Sequence, residues 1–431
     1  MAQEHDLFDD IIEISKGFDF LKNPLGGVTD VLDPSAPQWN PADYKERPRG
    51  NTIPCLPCKN EKSGCTVCMD VCPVNAIEIH KQSVIIGDDC RKCGLCAAAC
   101  PTETISTRRH MPRQVYDKIA RAASAYEHCY VTCTRALKRL PKDNEIVLGC
   151  VGAISRDLWF SLMADYDNIS VYLPVGICDR CKTTTGEEFY CDAIGTAEEW
   201  AQASLGLVAD ESEMTHELTR EYKRSQFMSS AVHSAERLLT RTNPALAGAK
   251  AVANKISAHA SRLDQLQRTL EGAVGAKTSN NRQRMLTQNR KLVMGALQHD
   301  EGLAKFIDLT APVCDASKCT MCGDCAKVCT TRALDLDVNG HITIQASYCV
   351  SCGACVKVCE DGALAMEPMD VTELIVPDPA AEELARKKAQ AKAEAQKYIE
   401  QGKKQLSRAA DVLEGLGTSD SGANDSKTSK K

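Results

Sequence analysis

Cysteine spacing constrains this chain more than any other feature of its 431 residues. Three stretches share one pattern without adjustment: Cys90-x2-Cys93-x2-Cys96-x3-Cys100, Cys319-x2-Cys322-x2-Cys325-x3-Cys329 and Cys349-x2-Cys352-x2-Cys355-x3-Cys359. A fourth, Cys58…Cys65-x2-Cys68-x3-Cys72, keeps only the later part of it. The chain holds 24 cysteines in all, and two chemistries use that many thiols: disulfide scaffolds and metal sites. The first ten residues, MAQEHDLFDD, have neither the basic region nor the apolar core of a secretory signal. No run of about 18 apolar residues occurs, so no transmembrane span is expected. The expected compartment is the cytoplasm, where thiols stay reduced and free for metal. A formal net charge of −6 argues against a nucleic-acid binder, which shows a basic domain or stripe.

The spacing has a physical sense. Three thiolates two residues apart lie on one tight loop able to wrap a cubane, and the fourth, three residues on, points toward a second cube. In the three regular copies, glycine follows the second cysteine (Gly94, Gly323, Gly353), which permits unusual dihedrals close to the cluster. A short hairpin separates the paired motifs. Ala76-Ile-Glu-Ile turns at Lys81-Gln82 and returns as Ser83-Val-Ile-Ile. Ala333-Leu-Asp-Leu turns at Asn339-Gly340 and returns as His341-Ile-Thr-Ile. Residues 52–112 and 312–370 are therefore two copies of one plan.

Both segments resemble bacterial-type dicluster [4Fe–4S] ferredoxin domains, and their tandem arrangement resembles polyferredoxin electron-transfer subunits of larger redox complexes. The resemblance covers a little over a quarter of the chain. It implies four [4Fe–4S] clusters with ligands exchanged between paired motifs. One set would be Cys90, Cys93 and Cys96 with Cys72; another Cys319, Cys322 and Cys325 with Cys359; a third Cys349, Cys352 and Cys355 with Cys329. The last set holds Cys68 and Cys100, but regular spacing puts Lys62 where a cysteine belongs. Cys58 and Cys65 complete it through a longer loop in the reading adopted. Alternatively Cys55-x2-Cys58 supplies two ligands and Cys65 is spare; with neither, a three-iron cluster results. Proline follows the last cysteine at Pro73 and Pro101, as in the family, but Thr330 and Glu360 depart from it. Structural zinc, which takes two separated cysteine pairs, has no use for the third cysteine of these runs.

The middle region reads differently. Strand-prone runs at His128-Cys-Tyr-Val-Thr, Glu145-Ile-Val-Leu and Ile169-Ser-Val-Tyr-Leu, with a helix over Ser155–Tyr166, predict a parallel sheet with right-handed crossover. Cys133, Cys150 and Cys178 each follow one of these runs, and ligands gather at the carboxyl ends of such strands. With Cys181 they form a candidate fifth site, for another cluster, zinc or a redox thiol pair at Cys178/Cys181; the plain alternative is a set of buried cysteines. Cys129 and Cys191 read as core or surface residues, and Cys55 and Cys314 as neighbours of the motifs.

Leu263, Leu266, Leu270 and Val274 form a helical stripe after the start signal Asn243-Pro244, and a second helix runs to about Phe306. The expected fold is multidomain α/β: two ferredoxin-like dicluster (α+β) modules flanking a small parallel α/β domain and a helical hairpin. Its divisions are an extended N-terminal arm (1–51), module 1 (52–112), the α/β domain (113–200), a helical region (201–311), module 2 (312–370), and a C-terminal helix with polar tail (371–431). No P-loop or G-x-G-x-x-G fingerprint occurs. The expected function is electron relay between redox partner proteins in a larger oxidoreductase complex. The rival is a redox enzyme using a thiol or extra cluster in the middle domain.

Overall fold

The structure, a computed structural model, describes residues 38–220, 222–223 and 245–377, with Arg386, Lys387, Gln390, Lys397 and Ile399. Most of the N-terminal arm, the Asn243-Pro244 helix start, most of the expected C-terminal helix and the polar tail lie outside those residues.

The first module is built from short pieces because its cysteine loops leave little chain for regular structure. In order they are β1 (Arg49–Gly50), α1 (Leu56–Lys59), α2 (Val67–Asp70), β2 (Ile77–His80), β3 (Ser83–Ile86), α3 (Leu95–Ala99) and β4 (Ile105–Ser106). β2 and β3 pair antiparallel with Ile77 opposite Ile86 and Ile79 opposite Val84. Alternation places these four on one face, where they pack with Val71, Leu95 and Ile105 around Cys68 and Cys96. β1 pairs with β4, so the end of the N-terminal arm closes the module.

After α4 (Pro112–Ala125) come β5 (Cys129–Cys133), β6 (Glu145–Leu148), α5 (Arg156–Asp165), β7 (Ile169–Tyr172), α6 (Gly186–Ala201) and β8 (Gly206–Val208). The strands form one parallel sheet in the order β6-β5-β7-β8. The fourth strand lies past residue 200, where the short run Gly-Leu-Val gave little periodic signal. All five residues of β5 are buried, as expected for a strand covered on both faces. The Ser155 side chain caps α5 by accepting from the Leu158 N–H. Trp159 and Phe160 of α5 and Trp200 of α6 are fully buried, and burying an apolar side chain of such size contributes about 1.5–3 kcal/mol.

α7 (Ala245–Val274) and α8 (Gln288–His299) form the helical hairpin. Leu263, Leu266 and Leu270 are buried, and α7 packs on both α4 and α8. The second module follows: β9 (Thr310–Cys314), α9 (Asp324–Val328), β10 (Leu334–Leu336), β11 (Ile342–Ile344), α10 (Ala354–Lys357) and β12 (Leu364–Pro368). β10 and β11 form its hairpin, with Gly340 at φ +85° in the turn, and β9 pairs with β12. One continuous core joins the sheet, the hairpin and this second module. Among the described residues, no helix is long and apolar enough to cross a membrane.

Candidate metal centres

The four cysteine loops share a backbone signature that spacing alone does not disclose. The residue before the second cysteine has positive φ in every copy: Lys92 (+56°), Met321 (+57°), Ser351 (+53°) and, in the irregular copy, Gly64 (+55°). The residue three past the last cysteine does so as well: Asn75 (+49°), Glu103 (+52°), Arg332 (+59°) and Gly362 (+58°). Six of the eight positions are not glycine, and non-glycine residues rarely adopt such angles, so the match marks four copies of one loop. The regular copies add Gly94, Gly323 and Gly353 at +90°, +74° and +67°, whereas Thr66 of the irregular copy stays at −122°. Alternating left-handed and right-handed residues turn successive N–H groups into a concave nest, an arrangement common at iron–sulfur sites.

Amide donors already point at sulfur. The Ala76, Thr104 and Ala363 N–H groups donate to Sγ of Cys72, Cys100 and Cys359 at 3.3, 3.2 and 3.3 Å, each from four residues downstream. Such donors stabilise negative charge on thiolate sulfur.

Cys72, Cys90, Cys93 and Cys96 line one hollow together. Burial, followed by the charges of Cys93 and Cys90, pushes the Cys96 thiol far up. Cys65, Cys68 and Cys100 form a second group: burial raises Cys68 to about 12, with Cys100 and Cys65 adding to it. Cys55 is buried, and burial lifts it to about 12, while Cys58 and Cys100 both act on it. The Cys58 thiol is in side-chain hydrogen-bond contact with Cys55 and also lies 3.3 Å from the His80 carbonyl oxygen. In the second module, burial with Cys322 and Cys319 raises Cys325 to about 11. Cys314 is raised by burial, by a hydrogen bond with Cys319 and by Cys359. Burial with Cys352, Cys329 and Cys349 raises Cys355 to about 12. Thiols of paired motifs thus adjoin one another: Cys72 lies with Cys90, Cys93 and Cys96, Cys100 with Cys65 and Cys68, and Cys329 with Cys349, Cys352 and Cys355.

Among the described residues, no three His, Cys, Asp or Glu side chains close tightly enough to hold a single ion. A zinc site draws its sulfurs to about 2.3 Å from one centre. A cube binds through four separate iron corners, so its thiolates stand wider apart. All-thiolate donors on nested loops fit a multi-iron cluster.

Residues 63–104 and 318–363 each match the 4Fe-4S dicluster domain family. A ferredoxin from Methanothermococcus thermolithotrophicus is 35% identical over 46 residues, covering 10% of this chain and 77% of that protein. The chain belongs to the ferredoxin family. It carries two dicluster domains, and ferredoxin domains of this type transfer electrons. No solved structure matches the chain.

Beyond its ferredoxin domains the chain gathers a third group of thiols. Cys133 ends β5, Cys150 follows β6, and Cys178 and Cys181 lie in the loop after β7. All four line one small hollow with Tyr190 and Gly186. Burial raises Cys150 to about 12, with Cys133, Cys93 and Cys181 acting on it. The hollow therefore abuts the first module: Gly149 lies against the Lys92 and Cys93 backbone. The Tyr190 hydroxyl stands 3.6 Å from the Cys178 thiol. Cys129 is fully buried in the sheet, and Cys191 is exposed.

Sequence reasoning overlooked Arg290. It is 3% exposed, its Nη2 donates to the Cys349 carbonyl, and its Nε and Nη1 have no hydrogen-bond partner. Nothing in its surroundings within α8 distinguishes it from a surface arginine; only the fold carries it to the second module.

Proposed function

We propose that this ferredoxin is a polyferredoxin-type relay with four [4Fe–4S] clusters. The sets are Cys72/Cys90/Cys93/Cys96, Cys319/Cys322/Cys325/Cys359 and Cys329/Cys349/Cys352/Cys355, with a fourth on Cys65, Cys68 and Cys100. The observation that carries this reading is the fourfold repeat of the positive-φ loop positions, which extends to the irregular copy. Each cluster, when bound, supplies one-electron chemistry; the chain supplies thiolates, amide donors to sulfur and a dry shell. The fourth ligand of the last set is Cys58 in the sequence reading. Burial of Cys55 beside Cys100, with the less buried Cys58 hydrogen-bonded to Cys55 and to the His80 carbonyl, favours Cys55. The electron donor and acceptor are redox partner proteins, and the setting is a larger oxidoreductase complex.

The group at Cys133, Cys150, Cys178 and Cys181 supports a fifth centre, because four thiols share one hollow next to Cys93. All-sulfur donors suit either a cluster or zinc there. One observation favours the enzymatic alternative: a cavity of about 450 Å³ adjoins Cys178 and Tyr190, lined by Val171, Leu173, Ile194 and Leu205. Loss of a substrate reaction in Cys178→Ser, with electron uptake by the ferredoxin domains intact, supports that alternative.

The relay reading is tested by an anaerobic reductive titration of the full chain followed by electron paramagnetic resonance. Four one-electron cluster signals, each abolished by substitution within one ligand set, support it. A chain that takes up no electrons at cluster sites contradicts it.

A further inference from the structure

The two ferredoxin domains lie more than 200 residues apart in sequence, yet they touch. Leu56 of the first module is 2% exposed because it packs against Val328, Ala354 and Val358 of the second. Cys65 and Cys352 pack against that same apolar cluster, one from each side. Polar contacts rim the seam. The Lys357 ammonium donates to the Gly64 carbonyl oxygen at 3.3 Å, and Lys62 pairs with Glu360. Lys62 occupies the position where a regular motif carries its first cysteine, so the irregular loop yields a ligand position and gains a cross-module ion pair. Both partners of that pair are largely exposed, so it orients the seam more than it stabilises it. The apolar centre holds it.

We propose that this seam is an electronic junction joining the two domains into one ordered array. The ligand set containing Cys65 and the set containing Cys352 are neighbours across it, while the sets of Cys93 and Cys322 lie on its outer sides. The order would be Cys93, Cys65, Cys352, Cys322, each residue standing for its set, with the middle-domain hollow beside Cys93 as a further member. An electron lost by one seam set is gained by the other, with no bond made and no proton moved. This inference rests on the relay reading and adds the order of its members.

The test uses the full chain, prepared without oxygen and fully reduced. Cys93→Ala with Cys322→Ala removes the outer sets and keeps the seam pair. Cys93→Ala with Cys352→Ala keeps one inner and one outer set, which do not share the seam. Iron near half the wild-type content, about 8 atoms per chain, certifies each variant. The expected result is mutual splitting of the paramagnetic resonance lines in the first variant and its loss in the second. Two independent signals in the first variant, with iron retained, overturn the junction and leave the relay reading standing. Absence of iron from the wild-type chain instead removes the relay reading itself. Leu56→Glu supplies a check with all proposed cysteine ligands in place: its reduced spectrum is expected to narrow relative to wild type, and an unchanged spectrum counts against the junction.

Discussion

Gly149 lies so close to Lys92 that a Cβ on it would stand 2.5 Å from the Lys92 carbonyl oxygen. Since a backbone atom blocks the space, no rotamer change relieves the clash. Gly149→Ala should therefore cost about 1–3 kcal/mol, as overpacking does elsewhere. Thermal unfolding of the iron-loaded chain measures this. The loss should be accompanied by a changed signal from the set containing Cys93, because the same contact joins the middle domain to that loop.

Exchange of the fourth ligand between motifs has a test in additivity. Cys72→Ala and Cys93→Ala are expected to lose the same cluster, about four iron atoms, whether made singly or together. Cys68→Ala combined with Cys93→Ala should lose about twice that. Iron analysis of the four variants decides it; additive loss for Cys72 with Cys93 would place those two residues in different sets.

The choice between Cys55 and Cys58 is equally direct. Cys55→Ala should lose about four iron atoms, and Cys58→Ala should retain them, since its thiol faces the His80 carbonyl. The reverse outcome would restore the assignment made from spacing.

Arg290 brings a buried guanidinium to the Cys349 carbonyl with two N–H groups free of protein partners. A fixed positive charge beside a cluster favours its reduced, more negative state. Arg290→Met should lower the reduction potential of the set on Cys329, Cys349, Cys352 and Cys355 and leave the set on Cys93 unchanged. Potentiometry with paramagnetic resonance detection reads both in one titration.

The candidate site was legible where its loops are written locally. Cys90 to Cys100 and its two regular counterparts fix loop, helix and ligand direction within eleven residues, and the hairpins at Lys81-Gln82 and Asn339-Gly340 announce themselves by alternation. The parallel sheet was readable from β5, β6 and β7, strands of four or five residues, but β8, with three, was too short to register. The irregular motif was harder: Gly64, at the same positive φ as Lys92, Met321 and Ser351, marks Cys65 as the second cysteine of a loop whose first has moved. A glycine directly before Cys65 was the available hint. The seam was not legible, because Leu56, Val328, Ala354 and Val358 look like ordinary apolar residues within their own modules. Only folding brings them together, just as it carries Arg290 to Cys349.

Iron and acid-labile sulfide, counted per chain in protein purified without oxygen, test the central claim most directly. Four cubes require about 16 iron atoms with matching sulfide, or about 20 if the middle-domain thiols hold a fifth. A colourless protein with iron near zero, or one that holds only about 4, would contradict the account.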